Sequence, residues 1–302
     1  MLRSLFTGIS GLTAHQQMLD VTANNIANVN TAGFKGSRAA FQDTLSQTLQ
    51  GASAGTTATG GTNSKQIGLG VKLAGTELAM TQGGAQSTGV GTDLMINGDG
   101  FFIVTKNGQN LYTRAGGLHL DNLGQLVTPD GAIVQGFKPT ATTPVAADLT
   151  TQGPLDLSPL MNGYDATSFA PLTGNPSDPA TAKGDPYVSY TIDAKGAINA
   201  VQKDGAIKVL GYIAMATFAN PNGLEKVGST EFQASASSGA INIGTPGDGS
   251  HGDVSAGYLE MSNVDLSAEL TNLIIAQRGF QANSKSVTTA DQILQTLVTL
   301  KQ

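Results

Sequence analysis

The stretch NNIANVNTAGFKG (residues 24–36) decides how this chain is organised, because it interrupts the regular apolar pattern that precedes it. Asparagine occupies four of the seven positions from 24 to 30, and asparagine favours helix ends and turns over helix interiors. We therefore expect a long helix to end here, with the amides bonding neighbouring segments, a glycine in the left-handed conformation and an aromatic anchor. The alternative is a plain helix end without intermolecular contacts. The predicted helix-end and connector residues are Asn24, Asn25, Asn28, Asn30, Gly33 and Phe34.

Apolar residues recur every three or four positions before this stretch, which predicts a helix with a heptad-type stripe. The same spacing over residues 266–300 predicts a C-terminal helix, whose first turn Ser262, Asn263 or Asp265 can cap. The predicted self-assembly residues on the two helices are Leu2, Leu5, Ile9, Leu12, Leu19, Ile26, Leu270, Leu273, Ile274, Phe280, Val287, Leu294 and Leu297.

Between the two helices the apolar period changes to two, which is typical of β-strands. Turn signals such as Lys-Asn-Gly and Pro-Asp-Gly divide residues 94–137, and residues 188–218 form a second block of the same kind. The sequence thus predicts an α+β fold, with a mainly β wall domain built from two separated blocks and terminal helices pairing as a coiled-coil-like inner domain. The predicted domains are a helical inner domain (1–33 and 262–302), a linker or connector (34–70) with a flexible part at 51–64, a β-rich core (71–138 and 187–261) and a small irregular or β outer insertion (139–186).

Composition excludes several functions. The net charge of −6 lacks the basic character of a nucleic-acid binder, and the absence of cysteine removes disulfides and thiol catalysis. No apolar stretch approaches the roughly 18 residues of a membrane-spanning helix. The N-terminus has no unbroken apolar core or small-residue cleavage site, so we expect no cleaved signal peptide.

The N-terminal helix carries too few charges for a surface in contact with water. Residues 1–33 contain Arg3 and Asp20 as their only full charges, whereas a solvated helix face normally carries Lys and Glu. The two helices can pair within one monomer. Because that pairing leaves an uncharged outer face, we expect several copies to surround each pair, and the ends of a free monomer to be partly disordered.

Catalytic patterns are missing from the sequence. The three histidines lie far apart, Asp99 and Asp121 are typical of turn residues, and Asp248 with Asp253 is a weak cation motif. We expect a protein that is not an enzyme, with no catalytic, cofactor-binding or metal site. A secreted, oligomeric β-rich binding protein is a remote alternative, which the absence of Trp disfavours.

The N-terminal residues MLRSLFTGISGLTAHQQMLDVTANNIANVNTAGFK resemble those of bacterial flagellar axial proteins, the rod and hook subunits. The segments LMINGDGFFIV, YTRAGGLHLDNLGQLV and DGAIVQGF are similar to that family's central motifs, and SNVDLSAELTNLIIAQRGFQAN is similar to its C-terminal helix. The resemblance covers residues 1–137 and 187–302. The motifs SNVDL and QRGFQAN resemble those of hook subunits more than those of rod subunits, which more often have SNVNV and QRAYE at these places. The insertion at 139–186, however, is short for a hook subunit.

This resemblance implies a hollow helical homopolymer that acts as a flexible universal joint, transmitting torque from motor to filament. The alternative within the family is a distal rod subunit of the basal body. The implied partners are further copies, the distal rod protein, the hook cap, the hook–filament junction proteins and the flagellar type III export apparatus, with no nucleic acid, cofactor or membrane insertion. The implied location is the extracellular flagellum, after export without a cleaved signal peptide.

Overall fold

The computed structural model describes residues 2–55, 60–122, 124–137, 153–155, 187–202 and 205–300. The predicted insertion at 139–186 therefore lies outside the described residues, except for 153–155. The chain divides into two compact units. Unit 1 comprises Met1–Val29, Gly36–Ala79 and Val264–Gln302, and unit 2 comprises Asn30–Lys35 and Met80–Asn263.

Unit 1 contains the two predicted terminal helices, α1 (Leu2–Ala27) and α2 (Leu266–Thr299), which pack along each other. α1 ends at Ala27, within the asparagine cluster and a few residues before the predicted domain limit at 33. Asp265 is the N-cap of α2, because its carboxylate accepts hydrogen bonds from Ser267 N at 2.8 Å and Ala268 N at 3.3 Å. Over the part of the chain that the structure describes, neither helix is long and apolar enough to cross a membrane.

Unit 1 also contains a long two-stranded arm, where the sequence analysis predicted a linker. Its strands are β1 (Ser37–Asp43), β2 (Ser46–Gln50), β3 (Lys65–Gly68) and β4 (Val71–Leu78). β1 pairs with β4 and β2 pairs with β3, both antiparallel, and Ser53 bridges Thr62 near the tip.

The arm corrects two predictions. The segment 34–70, expected to be a linker, contains the three strands β1, β2 and β3, and residues 71–79 belong to unit 1 instead of the β-rich core. The glycine-, serine- and threonine-rich composition at 51–64 describes the tip of the arm and not its strands. Those strands are held by backbone pairing, and the side chains of β2 and β3 are all exposed, so no apolar alternation marked them.

Unit 2 is built from antiparallel strands and a short 3-10 helix (Pro221–Gly223). The strands are β5 (Ala85–Ser87), β6 (Leu94–Asn97), β7 (Phe101–Lys106), β8 (Gln109–Thr113), β9 (His119–Leu120), β10 (Leu126–Val127), β11 (Ile133–Phe137), β12 (Gly153–Pro154), β13 (Tyr187–Ile192), β14 (Ala197–Gln202), β15 (Ile207–Ile213), β16 (Met215–Phe218), β17 (Glu225–Gly228), β18 (Glu231–Gln233), β19 (Ile241–Gly244), β20 (Asp253–Ala256) and β21 (Tyr258–Glu260).

The main sheet of unit 2 joins the two sequence-separated β blocks. Its central path runs β13-β14-β15-β11-β7-β8-β18-β17, and β9, β10, β12, β16 and β19 pair at its sides. β6 pairs with β20 and β5 with β21 in two smaller sheets. The predicted Lys-Asn-Gly turn is confirmed: Asn107 (φ 52°) and Gly108 (φ 79°) connect β7 to β8.

The core of unit 2 draws on both blocks, which confirms the predicted α+β fold. Its buried side chains come from segments 94–134, 155 and 198–254, with Phe102, Ile198 and Ile213 among the fully buried ones. Four consecutive residues of β7 are buried, Phe101 to Val104. The strand therefore has protein on both faces, and Phe101 packs edge-on against Phe218 and Phe232.

Candidate self-assembly surface

The helix pair is held at close range by small residues. A Cβ atom added at Gly8 would lie 2.9 Å from Val287 Cγ2, and one at Gly279 would collide with the ring of His15. Gly11 is similarly covered by the side chain of Asn283. In an isolated helix these glycines would only lower stability, so the packing of α1 against α2 is what requires them.

This glycine contact is the part of the surface that sequence reasoning missed. Gly8, Gly11 and Ala14 follow one another at intervals of three residues, which places them on one side of α1. Gly8 and Ala14 are buried. The regular spacing of small residues was the available signal, and it identifies the side of α1 that faces α2.

The predicted self-assembly residues fall into two groups, and the side chain of Leu2 is not described. One group is half-buried: Leu5, Leu12, Leu19, Ile26, Leu273, Val287 and Leu294. The other group is exposed although apolar: Ile9, Leu270, Ile274, Phe280 and Leu297.

Further apolar side chains on the same helices are exposed and were not predicted. They are Phe6, Leu266, Ile275, Ile293 and Val298. We call the exposed apolar residues of α1 and α2, predicted and unpredicted, the outer face of the helix pair. Large exposed apolar patches are typical of protein interaction sites. Pairing within one chain, the alternative raised above, is present in the structure but leaves the outer face uncovered.

The asparagine cluster contains one buried member with a defined set of partners. Asn25 is 1% exposed, and its Nδ2 donates to Ser37 O at 2.8 Å and to Glu269 Oε1 at 2.9 Å. Its Oδ1 accepts from Ser37 N at 3.0 Å. Asn25 therefore ties the end of α1 to the first residue of β1 and to the first turn of α2, all within unit 1.

The other asparagines act locally or face solvent. Asn28 Nδ2 donates to Asn24 O at 2.9 Å and to Asn24 Oδ1 at 3.1 Å, one helical turn earlier. Asn24 and Asn30 are exposed. The local amide pair satisfies a carbonyl at the end of α1, where intrahelical partners run out.

Gly33 and Phe34 lie in unit 2, where the chain leaves the helix. Gly33 has φ 71° and its N–H donates to Glu260 O at 2.7 Å. A Cβ atom at Gly33 would also crowd the backbone of Ala115, at 2.7 Å from its Cα, so both the conformation and the space require glycine. Phe34 is buried, and Lys226 Nζ lies 4.6 Å from the centre of its ring.

Titratable side chains of unit 2 form a small cluster on β7, β18 and the turn before β11. Lys106 Nζ lies 2.6 Å from Asp130 Oδ2, and this hydrogen bond raises the pKa of Lys106. Burial first, and then the negative charge of Asp130, raise the pKa of Glu231. Across the described residues, no group of three His, Cys, Asp or Glu could hold a metal ion.

A cleft of about 460 Å³ lies in unit 2 beside these strands. Its walls are mostly apolar, with Phe101, Phe218 and Pro221 among them, and Asp99 and Arg114 are its charged residues. Arg114 is already paired with Glu260, at 3.3 Å. Among the described residues that line the cleft, no pair of groups is arranged for acid–base or nucleophilic chemistry.

The chain has a helix at each end, and the two helices pair and expose apolar side chains. A β unit lies between them in the sequence. These features are typical of a structural subunit. Three family descriptions match: "Flagella basal body rod protein" at residues 5–35, "Flagellar hook protein FlgE/F/G D1 domain" at 95–209, and "Flagellar basal body rod FlgEFG protein C-terminal" at 255–300. The chain belongs to the flagellar basal-body rod and hook family, whose members are axial structural proteins of the flagellum and not enzymes.

Full-length relatives carry both rod and hook names. The chain is 44% identical to the flagellar basal-body rod protein FlgG of Bacillus subtilis over 303 aligned positions, which cover 100% of both chains. It is 34% identical to the flagellar hook protein FlgE of Borreliella burgdorferi over 442 positions, again covering 100% of both. It is 35% identical to FlgG of the same organism, covering 97% of each.

Proposed function

We propose that this chain is a subunit of the flagellar hook, which assembles with its own copies into a hollow helical tube through α1 and α2. The observation that carries this proposal is the outer face of the helix pair. It is rich in exposed Ile, Leu and Phe, and α1 carries only Arg3 and Asp20 as charges. Burying the α1 part against other copies therefore removes apolar surface from water while enclosing few charges.

The C-terminal helix favours a hook subunit over a rod subunit. Gly279 belongs to the QRGFQAN motif, and the space above it is filled by the ring of His15. The rod-type motif QRAYE has alanine at this position, and its methyl group would displace that ring. The hook-type glycine is therefore part of how α1 and α2 pack in this chain.

The same contacts suit a joint that bends while it rotates. Each subunit of such a tube passes between compressed and stretched spacings once per turn. Contacts among uncharged side chains change register at lower free-energy cost than ion pairs with a fixed geometry. Under this proposal the tube lies outside the cell, its subunits pass through the flagellar type III export apparatus, and it meets the distal rod, hook cap and hook–filament junction proteins.

The second candidate is the distal rod subunit. It is favoured by the higher identity to FlgG of Bacillus subtilis and by the alignment lengths, since 303 positions leave almost no room for insertions in that relative. The alignment with the hook protein of Borreliella burgdorferi extends over 442 positions, which requires long insertions in the hook protein.

Electron microscopy tests the proposal, using cells in which this protein carries an epitope in unit 2. We expect label along a curved segment between the cell surface and the filament, and cells lacking the gene should retain a rod without this segment. Label confined to a straight segment within the cell envelope would instead establish the rod subunit.

Leu12→Asp tests the role of the helix pair separately. Leu12 is half-buried on α1, and a carboxylate there would be enclosed without a partner. We expect unit 2 to fold while no tube forms, with Ile207→Asp on the exposed part of β15 as the matched charge control. Tubes of normal length from Leu12→Asp would show that assembly does not depend on the helices.

A further inference from the structure

The chain passes between the two units at four places, and all four are close to one buried side chain. The passages follow residues 29, 35, 79 and 263. Glu260, at the end of β21, accepts hydrogen bonds from the segments next to the first three passages and lies three residues before the fourth. This arrangement lies entirely within unit 2.

The carboxylate of Glu260 is the centre of the cluster. Lys35 Nζ lies 2.6 Å from Oε1, Gly83 N donates to the same oxygen at 2.9 Å, and Arg114 NH1 lies 3.3 Å from Oε2. The main chain takes part as well, since Gly33 N donates to Glu260 O at 2.7 Å. One residue thus binds the segments at 33–35 and 81–83 together.

Further hydrogen bonds close the ring of segments. Lys35 Nζ donates to Thr81 O at 2.8 Å, and Asn263 Nδ2 donates to the same oxygen at 3.1 Å. Lys226 Nζ donates to Lys35 O at 2.9 Å. We call Lys35, Thr81, Gly83, Arg114, Glu260 and Asn263 the Glu260 cluster.

The burial of this cluster is unusual for charged groups. The side chains of Lys35 and Glu260 are 1% and 0% exposed. Burial is the main influence that lowers the pKa of Lys35, and the hydrogen bond to Glu260 opposes it. Buried ion pairs often contribute less stability than well-packed apolar side chains of the same volume, but their geometry is strongly specified. A defined arrangement of chain segments is therefore what this cluster provides.

The cluster is also attached to the main sheet. Arg114 follows directly after β8, its NH2 donates to Gly98 O at 2.8 Å, and its guanidinium lies 5.3 Å from the centre of the Phe101 ring on β7. Both strands lie on the central path of the sheet. The Glu260 cluster therefore connects the segments beside the four passages to the main sheet through a buried contact.

We propose that the Glu260 cluster is a mechanical clasp, in which Glu260 is the positioning residue that makes the four chain passages share load and transfers it to the sheet of unit 2. Without the clasp, the pairing of β21 with β5 and the bond from Met261 N to Gly84 O would still join the segments near residues 84 and 260. Tension from α1 would then act on residues 30–35 alone and peel that segment from unit 2. With the clasp, the three segments of unit 2 beside these passages, around residues 30–35, 80–83 and 260–263, must separate together. This property goes beyond self-assembly, because it concerns how a single subunit withstands force.

Amide hydrogen exchange of the full chain in dilute solution tests the clasp, using Glu260→Gln. Glutamine preserves the shape and an acceptor for Gly83 N but leaves Lys35 and Arg114 without a counter-charge. We expect exchange at the amides of Gly33 and Gly83 to accelerate at least tenfold, while Val104 and Leu111 in the sheet keep their protection.

Glu231→Gln is the matched control, because it also replaces a buried glutamate of unit 2 by its isostere. It should leave exchange at Gly33 and Gly83 unchanged. Equal acceleration of these amides and of Val104 would mean that Glu260 contributes general stability alone, which overturns the proposal. No acceleration at Gly33 and Gly83 would overturn it as well.

Single-molecule pulling measures the load directly. The chain has no cysteine, so Asn24→Cys and Ala268→Cys provide unique handles at exposed positions on α1 and α2. We expect one rupture of unit 2 in the wild-type background, and an additional earlier rupture at lower force with Glu260→Gln. Identical rupture patterns would contradict the clasp.

Lys226→Met replaces Glu260→Gln in both measurements if that variant fails to fold. It removes the hydrogen bond to Lys35 O without leaving a buried carboxylate unpaired. A smaller acceleration, about threefold and confined to residues 33–35, is then expected. Uniform or absent acceleration counts against the proposal.

Discussion

Ile274→Ser is the sharpest test of the outer face of the helix pair. Ile274 lies in the middle of α2 and is 56% exposed, so its substitution changes the surface of the monomer more than its interior. Isoleucine and serine have similar helix propensities. The substitution therefore separates subunit contact from helix formation, which a proline or glycine would not.

The expected magnitude follows from the exposed fraction. Complete burial of an isoleucine side chain contributes about 1.5–3 kcal/mol. Roughly half of the side chain of Ile274 is still in contact with water, which leaves about 1–1.5 kcal/mol to be gained when a neighbouring copy covers it. Because about 1.4 kcal/mol corresponds to a tenfold change in an equilibrium constant, the critical concentration for polymerisation should rise about five- to tenfold.

Sedimentation of polymer at a series of total concentrations measures that critical concentration. Ile207→Ser is the control, since Ile207 on β15 is 70% exposed and lies outside the helices. It should shift the critical concentration by less than twofold. An unchanged value for Ile274→Ser, or an equal shift for Ile207→Ser, would refute the assignment of subunit contacts to the outer face.

Three other substitutions test separate parts of the account. Gly279→Ala should lower the temperature at which the polymer dissociates, because the methyl group of alanine displaces the ring of His15. This loss should exceed the gain of about 1 kcal/mol from the higher helix propensity of alanine. In a His15→Ala background the same change should raise the dissociation temperature, and equal effects in both backgrounds would exclude this contact. Asn25→Ala leaves buried hydrogen-bonding groups unsatisfied and should destabilise unit 1 by about 1–3 kcal/mol. The measurement is amide exchange at Ser37, the first residue of β1, in the assembled tube, where exchange should be faster; unchanged exchange there would contradict the role of Asn25. Glu231→Gln should raise the thermal midpoint of unit 2 at pH 8 but not at pH 4. Burial raises the pKa of Glu231, so the protonated form is favoured in the fold at low pH, and this stabilisation is lost as pH rises and the carboxyl group ionises. A difference in midpoint that does not depend on pH would disprove this cause.

The helices and the β unit were predictable because each follows a simple period. Apolar residues that recur every three or four positions predicted α1 and α2. Turn residues such as Asn107 and Gly108 predicted the β7–β8 hairpin. Apolar spacing alone did not distinguish the side of a helix that faces its partner from the side that faces other copies. In α1 that distinction depends on Gly8 and Gly11, whose small size is required by α2.

The arm and the Glu260 cluster were not predictable, for different reasons. The strands of the arm pair through their backbones, and β2 and β3 bury no side chain, so no apolar pattern reveals their register. Lys35 and Glu260 are 225 positions apart. Each is an ordinary charged residue in its local sequence, and only the folded chain brings the two together and buries them.

Comparison of amide exchange in α1 and α2 between the dilute chain and the assembled tube tests the central claim most directly. If neighbouring copies complete the helix pair, both helices should exchange rapidly in the dilute chain and become strongly protected in the tube, while β7 and β8 are protected in both. Complete protection of α1 and α2 in the dilute chain would contradict the claim, because the helices would then be finished without their neighbours.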